Sequence, residues 1–128
     1  MWAGLSNAIW GDEVLRSHYQ VWHVVYQTYA PLLVTRLRVQ EYLDAAWETL
    51  DPEHDDFARS NMVLVGHSLG GVVARMLCAD SGAVLWNAAF VTDASQMHAD
   101  ASDLAIVDRT FHFTAYPGVG RAIFLAAP

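Results

Sequence analysis

Asn61-Met-Val-Leu-Val-Gly-His-Ser-Leu-Gly-Gly-Val-Val-Ala-Arg-Met-Leu-Cys-Ala-Asp80 decides the fold. Met62–Val65 is a short apolar, β-branched run, which predicts a buried strand over 62–66. A glycine-rich turn, Gly66 to Gly71, follows at once, and then an apolar stretch at helical spacing to about Asp80. Gly66-His67-Ser68-Leu69-Gly70 is a G-x-S-x-G pattern in the strand–turn–helix setting that a nucleophile elbow needs. Such a turn is sharp and holds its serine in a strained backbone with the hydroxyl exposed. Side chains two positions either side of Ser68 would collide, so Gly66 and Gly70 are expected to need the absence of Cβ. Gly71 lets the helix start pack against the strand. The Leu69 N–H then sits at a helix N-terminus, where dipole and donor act together on a developing oxyanion.

A glycine-rich loop between strand and helix can also cradle a dinucleotide pyrophosphate. The glycines here fall at 66, 70 and 71, however, and Ser68 occupies the position where G-x-G-x-x-G requires its second glycine.

Working outward, Trp2 to about Trp10 is spaced as a helix and broken by Gly11-Asp12. Val21-Trp-His-Val-Val-Tyr26 is predicted as a parallel strand covered on both faces. Pro31 opens an amphipathic helix with an apolar stripe of Val39, Tyr42, Leu43, Ala46, Trp47 and Leu50. Asp51-Pro52 ends it. Residues 81–120 are less regular, with a short helix near Val84 to Val91, and 121–127 is predicted as a third buried strand. The expected class is α/β, a parallel β-sheet with flanking helices.

Of the 128 residues, 54% are apolar and only 16% charged, against about 25% charged in ordinary domains. That balance rules out disorder and fits a single domain, 1–128, that either packs against something else or is an interior-rich part of a larger protein. Seven arginines, no lysine and fourteen acidic residues give −7, so no basic face exists for nucleic acid. Without lysine there is no Walker A loop and no Schiff base. The uncharged stretches 21–35 and 60–74 both contain turn or polar residues, so neither reads as a bilayer span. No basic-then-apolar leader opens the chain, which favours the cytoplasm. Cys78, the one cysteine, excludes an internal disulfide and reads as a small buried hydrophobe.

Val65-Gly-His-Ser-Leu-Gly-Gly-Val-Val-Ala-Arg75 resembles the α/β-hydrolase superfamily, in particular bacterial lipase/esterase-like serine hydrolases. The resemblance is specific over 61–80 and looser over 21–50 and 121–128. Ala127-Pro128 aligns with the start of a Thr-Pro-His motif of many relatives, with Ala in place of Thr. It implies a partial α/β-hydrolase fold, since a complete one runs to roughly 200 residues or more. It also implies an ester substrate, small or lipid, attacked by Ser68, with no metal and no organic cofactor. The triad acid and histidine would follow later strands, beyond Pro128, and the upstream oxyanion donor would precede Trp2.

Candidates within the chain are weaker. Asp108 with His112, and Asp93 with His98, follow Ser68 in the right order but precede the last strand, where the fold offers no catalytic loop. His112, between Phe111 and Phe113, reads equally as the polar position of a short strand. His67 adjoins the serine, but neighbours on such a turn point apart. His23, inside an apolar run, reads as a satisfied core histidine. Asp51, Glu53, Asp55 and Asp56 around His54 lack the glycine and late Glu of a calcium loop and read as a solvated loop. Arg75 reads as a surface residue. Trp86, Phe90, Phe111, Phe113 and Tyr116 either line an acyl pocket or lid within 81–120, or simply cover the core. The competing reading is a non-catalytic module of the same fold acting by association.

Overall fold

The computed structural model describes residues 2–128. Helices α1 (Trp2–Gly11) and α2 (Glu13–His18) are followed by an irregular stretch, then by the long α3 (Leu32–Leu50). A 3-10 turn, Phe57–Ser60, leads into β1 (Met62–His67) and α4 (Leu69–Leu77). Then come α5 (Val84–Ala89), a second 3-10 turn at Ala94–Gln96, α6 (Ala101–Phe111) and β2 (Val119–Leu125). β1 and β2 pair in parallel, with Val63 opposite Arg121 and His67 opposite Leu125. A parallel pair needs a crossover, and α4 to α6 supply it. The class is therefore α/β, with mixed helices around a small parallel sheet.

The core is where α3 and α4 meet. Val39, Leu43 and Trp47 of α3 close on Val73 and Leu77 of α4 and on Tyr116. Trp22, Tyr26, Met62, Leu64 and Val119 pack at its edge. The predicted stripe of α3 is thus half right: Tyr42 and Leu50 are more than half exposed. Pro31 stands as the N-cap of α3 rather than within it.

Three expectations need correction. Residues 21–26 form no strand. A β-branched run supplies propensity, but a strand exists through a ladder, and the sheet of the described residues holds β1 and β2 alone. Val24 and Val25 are exposed accordingly. The strand predicted over 121–127 starts earlier, at Val119, and ends at Leu125, because Ala126 turns to φ 45°. It is also not buried: Ile123, Phe124 and Leu125 are 47%, 43% and 38% exposed. Finally, 101–111 is a helix, with Asp100 at its N-cap and Leu104, Val107 and Phe111 on its inner side, so His112 is a C-cap and not a strand residue.

Candidate nucleophile elbow

β1 delivers the chain to Ser68, and α4 begins at the next residue. Ser68 has φ 51° and ψ −125°, a conformation that L-residues adopt only under constraint. The constraints are visible. The Ser68 N–H extends the sheet ladder to the Leu125 carbonyl at 3.0 Å, and its own carbonyl accepts from Gly71 N–H at 2.9 Å. The side chain is left exposed at the carboxyl end of the parallel strands.

The glycines enforce the turn unequally. A Cβ on Gly66 would run into the Gly70 carbonyl and lie 2.6 Å from Gly71 Cα. On Gly71 it would meet Ala127 Cβ at 2.5 Å, so this glycine sets how closely α4 approaches the residues after β2. Gly70 differs from expectation: a Cβ there would meet only the Tyr26 hydroxyl, at 3.1 Å, the free end of a side chain. Leu69, as the first residue of α4, has a backbone N–H with no intrahelical partner.

Three further side chains surround the turn. His67 is exposed and meets the Trp2 ring edge-on, centroids 6.5 Å apart. One turn along α1, the buried Ser6 hydroxyl is hydrogen-bonded to His23 Nε2 at 2.8 Å. His23 is therefore satisfied, but it lies at the surface rather than in the core. Tyr26 packs its ring on the core cluster while its hydroxyl faces Gly70. Sequence reasoning placed Tyr26 in a strand and missed it. The signal available was a tyrosine ending an apolar run just before a turn at 28–30.

The in-chain acid–histidine pair is real but remote. His112 Nδ1 lies 2.8 Å from Asp108 Oδ1, one turn apart on α6, and the imidazole stacks on Trp86 at 5.1 Å. The pair adjoins the far end of α4: Ser81 N–H bonds the Phe113 carbonyl, and Tyr116 N–H bonds the Leu77 carbonyl. Nine residues of helix, about 13 Å at 1.5 Å per residue, separate that end from Ser68. No side-chain hydrogen bond or ion pair joins Asp93 and His98 to each other or to Ser68 among the described residues.

The aromatic residues of 84–116 do not form one pocket. Trp86, Phe90 and Phe111 make a cluster of their own, with Trp86 Nε1–H donating to the Thr92 carbonyl. Phe113 lies under the buried Arg36 guanidinium, 4.0 Å from ring centroid to Cζ. Arg36 donates to Gln40 and to the Thr114 carbonyl. Burial lowers its pKa, and the Asp44 charge opposes that shift. Tyr116 donates its hydroxyl to Asp44 at 2.8 Å, and burial together with that carboxylate raises its pKa strongly. An open cavity of about 640 Å³ is bordered by Asp44, Arg109, His112 and Tyr116 and does not include Ser68.

Two smaller expectations also change. Cys78 is exposed at the C-cap of α4 rather than buried, although partial burial still pushes its thiol pKa up. Asp51 is not a solvated loop residue: it is 5% exposed and holds Arg59. Among the described residues no three His, Cys, Asp or Glu side chains group as metal ligands, and no helix is long and apolar enough to cross a membrane. No family model, curated protein or solved structure matches the chain.

Proposed function

We propose that this chain carries the nucleophile elbow of a serine hydrolase acting on carboxylic esters, on a partial α/β-hydrolase fold. The observation that carries the reading is Ser68 itself, a non-glycine residue at φ 51° between a parallel strand and a helix, with its side chain exposed. A turn that only connected β1 to α4 would be easier to make with glycine at this position.

In this reading Ser68 Oγ attacks the ester carbonyl carbon, and the C=O π pair moves onto oxygen beside the Leu69 N–H. The Oγ proton passes to a histidine. None of the six histidines hydrogen-bonds Ser68 among the described residues, so the reading places that base, and the acid that orients it, outside this chain. The oxyanion pair re-forms the carbonyl as the alkoxide leaves with the proton from the base. Water then hydrolyses the acyl-serine by the same steps. The substrate is a neutral ester, small or lipid, in keeping with the apolar composition and the −7 charge.

The test is fluorophosphonate labelling of the intact, folded protein. The expected result is a single phosphonylated peptide containing Ser68, abolished in Ser68→Ala. A folded protein that fails to label would falsify the hydrolase reading and leave the fold acting by association.

A further inference from the structure

We propose that the Tyr26 hydroxyl is the second oxyanion donor of the elbow, partnering the Leu69 N–H. The proposal rests on the serine hydrolase reading of Ser68 and adds a catalytic residue to it.

A single backbone donor leaves a developing oxyanion half-satisfied, and catalysis of acyl transfer needs donors aimed at where that charge forms. At the first turn of α4, Tyr26 brings an O–H. Its hydroxyl lies where a Gly70 side chain would otherwise begin, 3.1 Å from an ideal Cβ at that position. Gly70 follows Leu69 directly in the first turn of α4, so both donors stand at the same helix end.

Tyr26 is also held as a positioned donor should be. Its ring packs against the cluster of Val39, Leu43, Trp47 and Val73, which fixes the approach of the phenol. The hydroxyl itself bonds no protein group among the described residues and is not among the buried unpartnered atoms, so it is open to a ligand. The contrast with Tyr116 is informative. That tyrosine uses the same core, but its hydroxyl is spent on Asp44 at 2.8 Å. The absence of a Cβ at Gly70 takes on a purpose in this arrangement. A Cβ there would not break the turn; it would push the Tyr26 hydroxyl away from the helix end.

The experiment is steady-state hydrolysis of p-nitrophenyl butyrate by the intact protein, with Tyr26→Phe, Tyr116→Phe and Ser68→Ala compared. Loss of one oxyanion donor predicts a fall of about a hundredfold in kcat for Tyr26→Phe, with KM changed little. Affinity for an alkyl boronic acid, which forms a tetrahedral adduct on the serine, falls in parallel. Tyr116→Phe keeps its kcat. Should Tyr26→Phe fail to fold, difluorotyrosine at position 26 serves instead. A fluorinated phenol is a stronger hydrogen-bond donor, so affinity for the boronic acid rises, and an unchanged affinity counts against the donor role.

Unchanged kcat and boronate affinity in Tyr26→Phe, with Ser68→Ala inactive, would overturn the donor role and leave the hydrolase reading standing. A rise in KM alone would also overturn it, marking a packing role. If the unmodified protein neither hydrolyses the ester nor labels at Ser68, the hydrolase reading fails, and the donor role with it.

Discussion

Arg59 Nε donates to Asp51 Oδ2 at 2.6 Å, and Arg59 Nη2 reaches the Asp51 carbonyl at 3.2 Å. This pair ties the C-cap of α3 to the turn that launches β1. The Asp51 carboxylate also accepts the Asp55 and Asp56 N–H groups, and Arg59 lies over the Trp47 ring. Burial alone would push the Asp51 carboxyl up. Arg59 and the two N–H donors outweigh it and hold its pKa below the ordinary carboxylate range.

A depressed folded-state pKa contributes stability that is present above the unfolded value, near 3.9, and lost as pH falls through the folded one. Acid unfolding followed by circular dichroism should therefore show a steeper loss below about pH 4 than in Asp51→Asn. Arg59→Ala should unfold at higher pH than the unmodified chain. Superimposable acid profiles for all three proteins would contradict this.

The α3–α4 contact should dominate stability. Leu77 is 2% exposed within the core cluster. Leu77→Ala leaves a cavity there and should cost about 2–5 kcal/mol, whereas Leu50→Ala, at an exposed α3 position, should stay within about 0.5 kcal/mol. Urea denaturation of both variants checks the ordering.

The two glycines flanking Ser68 should behave differently. Gly66→Ala drives a methyl into the backbone of Gly70 and Gly71 and should destabilise by about 1–3 kcal/mol or more, since no side chain can yield. Gly70→Ala meets only the movable Tyr26 hydroxyl, and alanine favours a helix by up to about 1 kcal/mol. Its melting temperature should match or exceed that of the unmodified chain. Equal damage from both would refute the asymmetry.

His112 should be dispensable for chemistry at Ser68. The Asp108–His112 pair is partly exposed and lies at the opposite end of α4, so His112→Ala should leave Ser68 labelling intact and shift stability by no more than about 1 kcal/mol. Labelling or hydrolysis that depended on both Ser68 and His112 would contradict this.

How far the sequence could be read follows from what each element depends on. α3, β1 and α4 announce themselves because their patterning agrees with local packing: Val39, Leu43 and Trp47 recur every four residues and all are buried. The sharp turn at Ser68 was legible because its geometry is local, confined to Gly66–Gly71. Val21–Tyr26 misled because strand formation depends on a hydrogen-bonding partner, which no run of side chains encodes. α6 was hidden by Asp103, Asp108 and Thr110, which interrupt a sparse apolar stripe of Leu104, Val107 and Phe111. The approach of Tyr26 to Gly70, 44 positions apart in sequence, leaves no local trace at all.

The backbone at Ser68 has a consequence for descent. A side chain held at φ 51° destabilises the folded state by on the order of 1–3 kcal/mol, and replacement by glycine relieves that cost. Any lineage in which the hydroxyl fell out of use would gain stability from Ser68→Gly without rearranging β1 or α4. Idle copies of this chain should therefore drift toward glycine at position 68, whereas copies under selection for the hydroxyl should keep serine despite its cost.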